Sequence, residues 1–200
     1  MLPVITIARQ FGSGGHEVGE KVAQKLNLPF YDKALIAMAA KKSGLSEEVF
    51  ADADERASSS LLYSLVMGSY TSVANTMPIN DKLFVLQSDI IKKAAKEGPC
   101  VIIGRCADYI LREHENCLNV FVHADKAARI KRIVGLGHCE EKKAPDFVTK
   151  KDKQRANYYN FYSNNRWDDL LNYDLTIDTS RFSVDMAVDL IIDAAKKLDV

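Results

Sequence analysis

The stretch ITIARQFGSGGHEVGEKVAQKL, residues 5 to 26, sets Gly12, Gly14 and Gly15 between a short apolar run and a helix-forming one. A glycine turn in that setting aims its backbone N–H groups and the first turn of the next helix at one point, and phosphate is the natural guest. A side chain at any of these glycines would block the approach of the backbone to a ligand or forbid a positive φ. The common phosphate loop, G-x-x-x-x-G-K-[ST], adds a lysine on the terminal phosphates and a hydroxyl on magnesium. Here the register sets Arg9 at the first glycine, Gly15 at the lysine and Glu17 near the hydroxyl. The lysine is therefore missing. Arg9, at the end of the apolar run, can supply the charge by reaching across the loop, since guanidinium grips phosphate in bidentate fashion. Ser13 lies inside the loop, and His16 in the first helical turn is a further candidate for phosphate contact. The same residues also suit a plain strand-to-helix turn with a solvated Arg9 and a merely polar His16.

The elements that must position these residues follow from hydrophobic periodicity. Short apolar runs at 4–8, 29–32, 100–104, 118–124 and 173–178 alternate with helical patterns at 15–27, 33–43, 81–97, 106–113, 125–134, 150–163 and 183–198. That alternation predicts an α/β fold with a five-stranded parallel sheet covered by helices. In the last helix Val184, Ala187, Val188, Ile191, Ala194, Ala195 and Leu198 share one face, and Ser183 is placed to cap it. Asn80 is placed to cap the helix before Gly98 and Pro99. Two polar stretches, 52–60 and 135–148, are long enough to be surface excursions and are candidates for movement.

Composition limits the function classes. Of the 200 residues 47% are hydrophobic and 27% charged, as in an ordinary globular protein, so one domain over 1–200 is expected. Lys plus Arg and Asp plus Glu both number 27, so bulk charge points to neither nucleic acid nor an anionic membrane, and any anion site must be local. No run approaches the roughly 18 apolar residues of a membrane span, and MLPVITIARQ lacks the layout of an export signal, so a cytoplasmic address is expected. Cys100, Cys106, Cys117 and Cys139 make no CxxC pair. His138 beside Cys139 falls short of the converging ligands zinc requires, so no protein-held metal is expected.

Further along the chain, VIIGRCADYIL (101–111), VFVHADKAARIKRI (120–133), KKDKQRANYYNFYSNNRW (150–167) and NYDLTIDTS (172–180) follow the glycine segment in order. Together these resemble the cytidylate kinase-like branch of the nucleoside monophosphate kinases, over nearly the whole chain. The resemblance implies a P-loop kinase-like three-layer sandwich, with an acceptor-side helical insertion at about 33–80 and a mobile lid at about 135–150. It implies that ATP, carried with Mg2+, gives its γ-phosphoryl to CMP, dCMP or a similar acceptor.

Residue by residue, the resemblance brings Arg105 to the acceptor phosphate, and Arg105 does sit just past a strand end, where open α/β sheets gather ligands. Cys106 and Ala107 depart from the Gly-Arg-Asp pattern, which leaves Asp108 open between an acceptor role and a carboxylate at a helix N-terminus. Asp152 and Arg155 share a helix face and resemble the pair directed at the acceptor's sugar and phosphate; a surface pair is the plain alternative. Arg129 and Arg132 match arginines that approach the transferring phosphoryl group, where charge must be neutralised. Asp32 matches an acidic residue that holds magnesium-bound water or acceptor groups, or else caps a helix. Tyr158, Tyr159, Phe161, Tyr162 and Trp167 form an aromatic cluster suited to a base or to core packing. Oligomerisation is open, with the apolar segment 58–79 as one surface for it. A second reading, a nucleotide-binding module that has lost turnover, stands beside the enzyme because arginine lacks the compact geometry of lysine.

Overall fold

The computed structural model describes residues 2–33 and 79–198. Five parallel strands, β1 (Val4–Arg9), β2 (Phe30–Tyr31), β3 (Val101–Ile103), β4 (Cys117–His123) and β5 (Leu175–Asp178), form one sheet in the order β2-β3-β1-β4-β5. Each expected strand is present, within two residues at either end. The helices of the described residues are α1 (Gly15–Leu26), α2 (Ile79–Glu97), α3 (Ala107–Ile110), α4 (Lys126–Gly135), α5 (Ala144–Ser163) and α6 (Val184–Lys197).

Side chains alternate across a strand, and β1 divides the core accordingly. Ile5 and Ile7 face α1 and α6, packing with Val18, Val22, Val188 and Ile191, whereas Val4 and Ala8 join a second cluster with Ile91, Ile110, Phe121 and Tyr159. The result is three layers, helix on sheet on helix. Gly19 lets α1 lie close to the sheet, because a Cβ there would collide with Ile103. Lys21–Asp185 and Lys25–Asp189 ion pairs fasten α1 to α6 at the exposed rim. Pairs so exposed are screened by solvent and add little stability.

The two faces create the crevice that a ligand needs. After β1 the chain turns into α1 on one face, and after its neighbour β3 it turns into α3 on the other. Adjacent strands whose connections leave in opposite directions open a gap at their carboxyl ends. The glycine loop and Arg105 flank that gap.

Several expectations on boundaries are corrected. The helix expected at 33–43 and the insertion expected at 33–80 lie outside the described residues, apart from Lys33 and the start of α2. Asn80 is not a cap, because α2 already includes Ile79. The helix expected at 106–113 is a single turn, Ala107–Ile110. The excursion expected at 135–148 ends early: α5 begins at Ala144, with Ala144 and Val148 fully buried beside Ile133. Pro145, inside the stretch read as a polar excursion, is well suited to the first helical turn, where its missing N–H costs nothing.

Ser183 caps α6 as expected, its Oγ accepting the Met186 N–H at 3.2 Å. Ser183→Ala should therefore lower stability by about 1 kcal/mol in urea denaturation, with an unchanged slope.

Candidate active site

The glycine loop is built as its residues require. Gly12 and Gly14 hold φ values of 80° and 82°, which favour glycine. Ser13 is fully buried and stitches the loop to itself, donating to the Gln10 carbonyl at 2.9 Å and accepting weakly from the Gly15 N–H at 3.4 Å. Thr179, past β5, donates to the Ser13 carbonyl at 2.6 Å. Gln10 ties the loop to β4, its amide donating to the Val122 carbonyl and its Oε1 accepting from Ala124. The N-terminus of α1 carries no side-chain cap, so the His16 and Glu17 amides keep the open donors of any helix start. These open amides and the helix dipole favour an anion.

Three arginines from α4 and α5 take up the loop's carbonyls. Arg155 donates to the Arg9 carbonyl at 2.8 Å, Arg129 to the Phe11 carbonyl at 3.2 Å, and Arg132 to the Gly12 carbonyl at 2.8 Å. Arg129 is buried at 7% exposure, pairs with Asp152 and donates through Nε to Ala124. Asp152 also accepts the Phe11 N–H at 2.7 Å. These contacts hold Arg129 and Asp152 on the loop's main chain, where phosphoryl and acceptor-sugar contacts were expected of them. Arg132 is different: its guanidinium lies beside Gly14, at the mouth of the loop.

Arg9 does not reach across the loop. The neighbours of Gly12 and Gly14 are Ile133, Arg129, Arg132 and Val184, whereas the stem of Arg9 runs over Gly15 and its guanidinium ends against Gly104. A Cβ at position 15 would stand 2.6 Å from the Arg9 Cβ. A lysine at that register would therefore need space Arg9 already fills, which explains why the two do not occur together here. Desolvation, then the charges of Arg155 and Arg105, lower the pKa of Arg9, and Asp32 only partly offsets them. Among the described residues its buried Nε has no hydrogen-bond partner.

Arg105 follows β3 in a turn where Gly104, Arg105 and Cys106 all have positive φ, 69°, 59° and 56°. Two consecutive non-glycine residues in that region are strained, and such strain gathers at functional sites. The Arg105 guanidinium stands 5.8 Å from the Tyr158 ring centre. Lys33, which sequence reasoning passed over, joins the group: partial desolvation, then Arg105, Lys151, Arg155 and Arg9, pull its ammonium down to about 8. No local pattern marks Lys33 or Lys151, because only folding brings them to the arginines.

The other expected residues divide. His16 turns to Asp32, with 3.4 Å between Nε2 and Oδ2, and its ring meets Phe30 edge-on. Residue 16, one position before Glu17, is where the ordinary loop carries its hydroxyl. Glu17 pairs with Lys21 at 3.0 Å on the exposed side of α1, away from the magnesium role expected of it. Asp108 is 8% exposed and accepts from the Tyr159 hydroxyl at 2.6 Å, its pKa raised by desolvation; it is core rather than acceptor site. Most of the aromatic cluster is packing: Tyr162 stacks on Phe84 at 4.0 Å, and Trp167 and Tyr159 are buried, whereas Phe161 is exposed. All four cysteines are free, and among the described residues no three metal-binding side chains converge. No helix of the described residues is long and apolar enough to cross a membrane.

The sequence profile of the cytidylate kinase-like family matches residues 4–181. The chain belongs to this family. Among solved structures, an uncharacterized protein from Eubacterium ventriosum ATCC 27560 is 30% identical, with a TM-score of 0.74 over 98% of this chain and 99% of that one. A shikimate kinase from Bacteroides thetaiotaomicron is 16% identical with a TM-score of 0.58, over 98% of this chain and 99% of the other. A gluconokinase from Sinorhizobium meliloti 1021 is 14% identical with a TM-score of 0.53, over 97% and 94%. The last two show the P-loop kinase fold alone. Curated proteins yielded no match. In this family member the fold is that of kinases, and the altered loop sits at its crevice.

Gly15→Lys, which completes the ordinary loop pattern on paper, should weaken ATP binding about tenfold or more through collision with Arg9. Adding Arg9→Gly should recover part of the loss, a non-additive result that calorimetric titration of both variants and the pair would read.

Proposed function

We propose that the protein transfers the γ-phosphoryl group of ATP to a nucleoside monophosphate, with CMP or dCMP as the acceptor its family implies. The observation that carries this reading is Arg9: a desolvated guanidinium lying between the uncapped amides of the phosphate loop and the arginines Arg105 and Arg155. A cation in that position is stabilised by an anion between donor and acceptor, where the transferring group passes. The cluster of Arg9, Lys33, Arg105 and Arg155 suits a doubly charged phosphate ester better than the single carboxylate or neutral hydroxyls of a sugar acid. The loop amides and Arg132 serve the donor phosphates. Phosphoryl transfer asks the protein chiefly for alignment and charge neutralisation, so this set needs no general base.

Magnesium is expected with the donor. Asp32, whose charge reaches Arg9, is a carboxylate beside the crevice, and one carboxylate with phosphate oxygens matches how Mg2+ is usually held. When bound, the ion would neutralise charge on the donor phosphates. The second reading, a nucleotide-binding module without turnover, is favoured by one observation, the glycine at the lysine register.

Purified protein with Mg-ATP and a panel of nucleoside monophosphates should give a diphosphate product, CDP foremost. Arg9→Ala and Arg105→Ala should each lower kcat/KM by a factor of about a hundred or more. Tight ATP binding without product from any acceptor would decide for the module.

The lowered pKa of Lys33 adds a pH signature. Below about 8 its ammonium is charged and assists anion binding; as pH rises through that value the free protein loses the charge. Acceptor affinity should therefore fall above about pH 8, with proton uptake on binding. Lys33→Met should abolish that uptake in calorimetry run in buffers of different ionisation enthalpy.

A further inference from the structure

We infer that Asp152 and Arg129 form a clamp that sets the shape of the donor-phosphate loop, and that they act as positioning residues without touching the acceptor. The inference rests on the reading of the loop as a phosphate site. Both main-chain polar groups of Phe11 are held by the pair: Asp152 Oδ1 accepts its N–H at 2.7 Å, and Arg129 Nη1 donates to its carbonyl at 3.2 Å. The clamp closes on itself, because the same Nη1 meets Asp152 Oδ2. Arg129 Nε is anchored on the Ala124 carbonyl at 3.0 Å, which fixes the pair to the end of β4.

The residues around Phe11 show why this point matters. Its ring packs edge-on against Phe147 of α5, with centres 5.4 Å apart, and the Arg155 guanidinium lies 5.5 Å from it. The next residue, Gly12, sits so close to α4 that a Cβ would come within 2.9 Å of Ile133 and 3.0 Å of the Arg129 carbonyl. The loop thus has little freedom to move once Phe11 is gripped.

An acceptor-sugar role for Asp152, which the family resemblance implies, competes with this geometry. Both carboxylate oxygens are engaged, and the side chain is 19% exposed. It opens onto a cleft of about 540 Å³ that is lined also by Gln10, Lys153, Asn160 and Trp167. Arg9, Arg105 and Arg155, the acceptor-side arginines, do not line that cleft. Removing either member of a buried ion pair leaves the other charge uncompensated, so the two should act as a unit.

Inorganic tripolyphosphate reads the donor loop, and the acceptor KM reads the opposite side of the crevice. Asp152→Asn and Arg129→Lys should each weaken tripolyphosphate binding roughly ten- to hundredfold. The double variant should be hardly weaker than the poorer single one, and acceptor KM should hold. A raised acceptor KM with unchanged tripolyphosphate affinity would overturn the clamp, as would additive losses. Amide exchange at Phe11 in the wild-type chain needs no variant: slow exchange supports the clamp, and exchange at the rate of a free loop amide sinks it. Wild-type protein that binds no tripolyphosphate would instead remove the phosphate reading of the loop, and Phe11 exchange would still decide the clamp.

Discussion

The site depends on where the glycine loop sends its carbonyl groups. A peptide that turns its N–H toward an anion turns its C=O away, and a carbonyl driven into protein without a donor is costly. Here Arg155, Arg129 and Arg132 donate to the carbonyls of Arg9, Phe11 and Gly12, while the N–H groups of the first and third of these peptides, on Gln10 and Ser13, bond the Val122 and Gln10 carbonyls. Guanidinium is suited to the task because one planar group can serve a carbonyl and a carboxylate together, as Arg129 does with Phe11 and Asp152. The helices after β4 are therefore part of the phosphate loop in energetic terms, although they are far from it in sequence.

That arrangement also accounts for the departure from the ordinary loop. Where lysine is the usual cation, its side chain rises from the start of α1. In this chain the start of α1 is Gly15, and the volume above it belongs to Arg9 from the end of β1. The cation is displaced toward β3 as a consequence, and it meets Gly104 at the strained turn that carries Arg105. The glycine loop and the turn that carries Arg105 are thereby joined by one side chain. Repulsion among Arg9, Arg105 and Arg155, with desolvation added, is a cost that a bound anion relieves. A pocket that destabilises its own charges when empty is one way to favour the multiply charged ligands of phosphoryl transfer.

Sequence reasoning went furthest where the physics is local. The strands were legible because parallel strands buried on both faces must be largely apolar, as Val101 to Ile103 is, and as Val4 to Ala8 is but for Thr6, whose hydroxyl donates to Asn119. The Ser183 cap and the apolar face of α6 were legible for the same reason. Local signals misled at 144–148, taken for part of a polar excursion although α5 begins there, and at Asn80, a capping residue type found inside α2. In the first case the burial of Ala144 and Val148 against Ile133 accompanies the shifted boundary.

What the sequence by itself determined is the α/β order, the glycine loop before its helix, and a set of arginines and carboxylates of the right types. It also carried the family, through the order of its segments. Only the tertiary structure assigned those residues their tasks: it turned Asp108 into the core beside Tyr159, gave Glu17 to Lys21, spent Arg129 and Asp152 on Phe11, and brought Lys33 to the arginines. The reason is that charge and hydrogen-bonding capacity belong to the side chain, whereas the partner that consumes them is set by three-dimensional proximity across separations such as the 141 residues between Phe11 and Asp152.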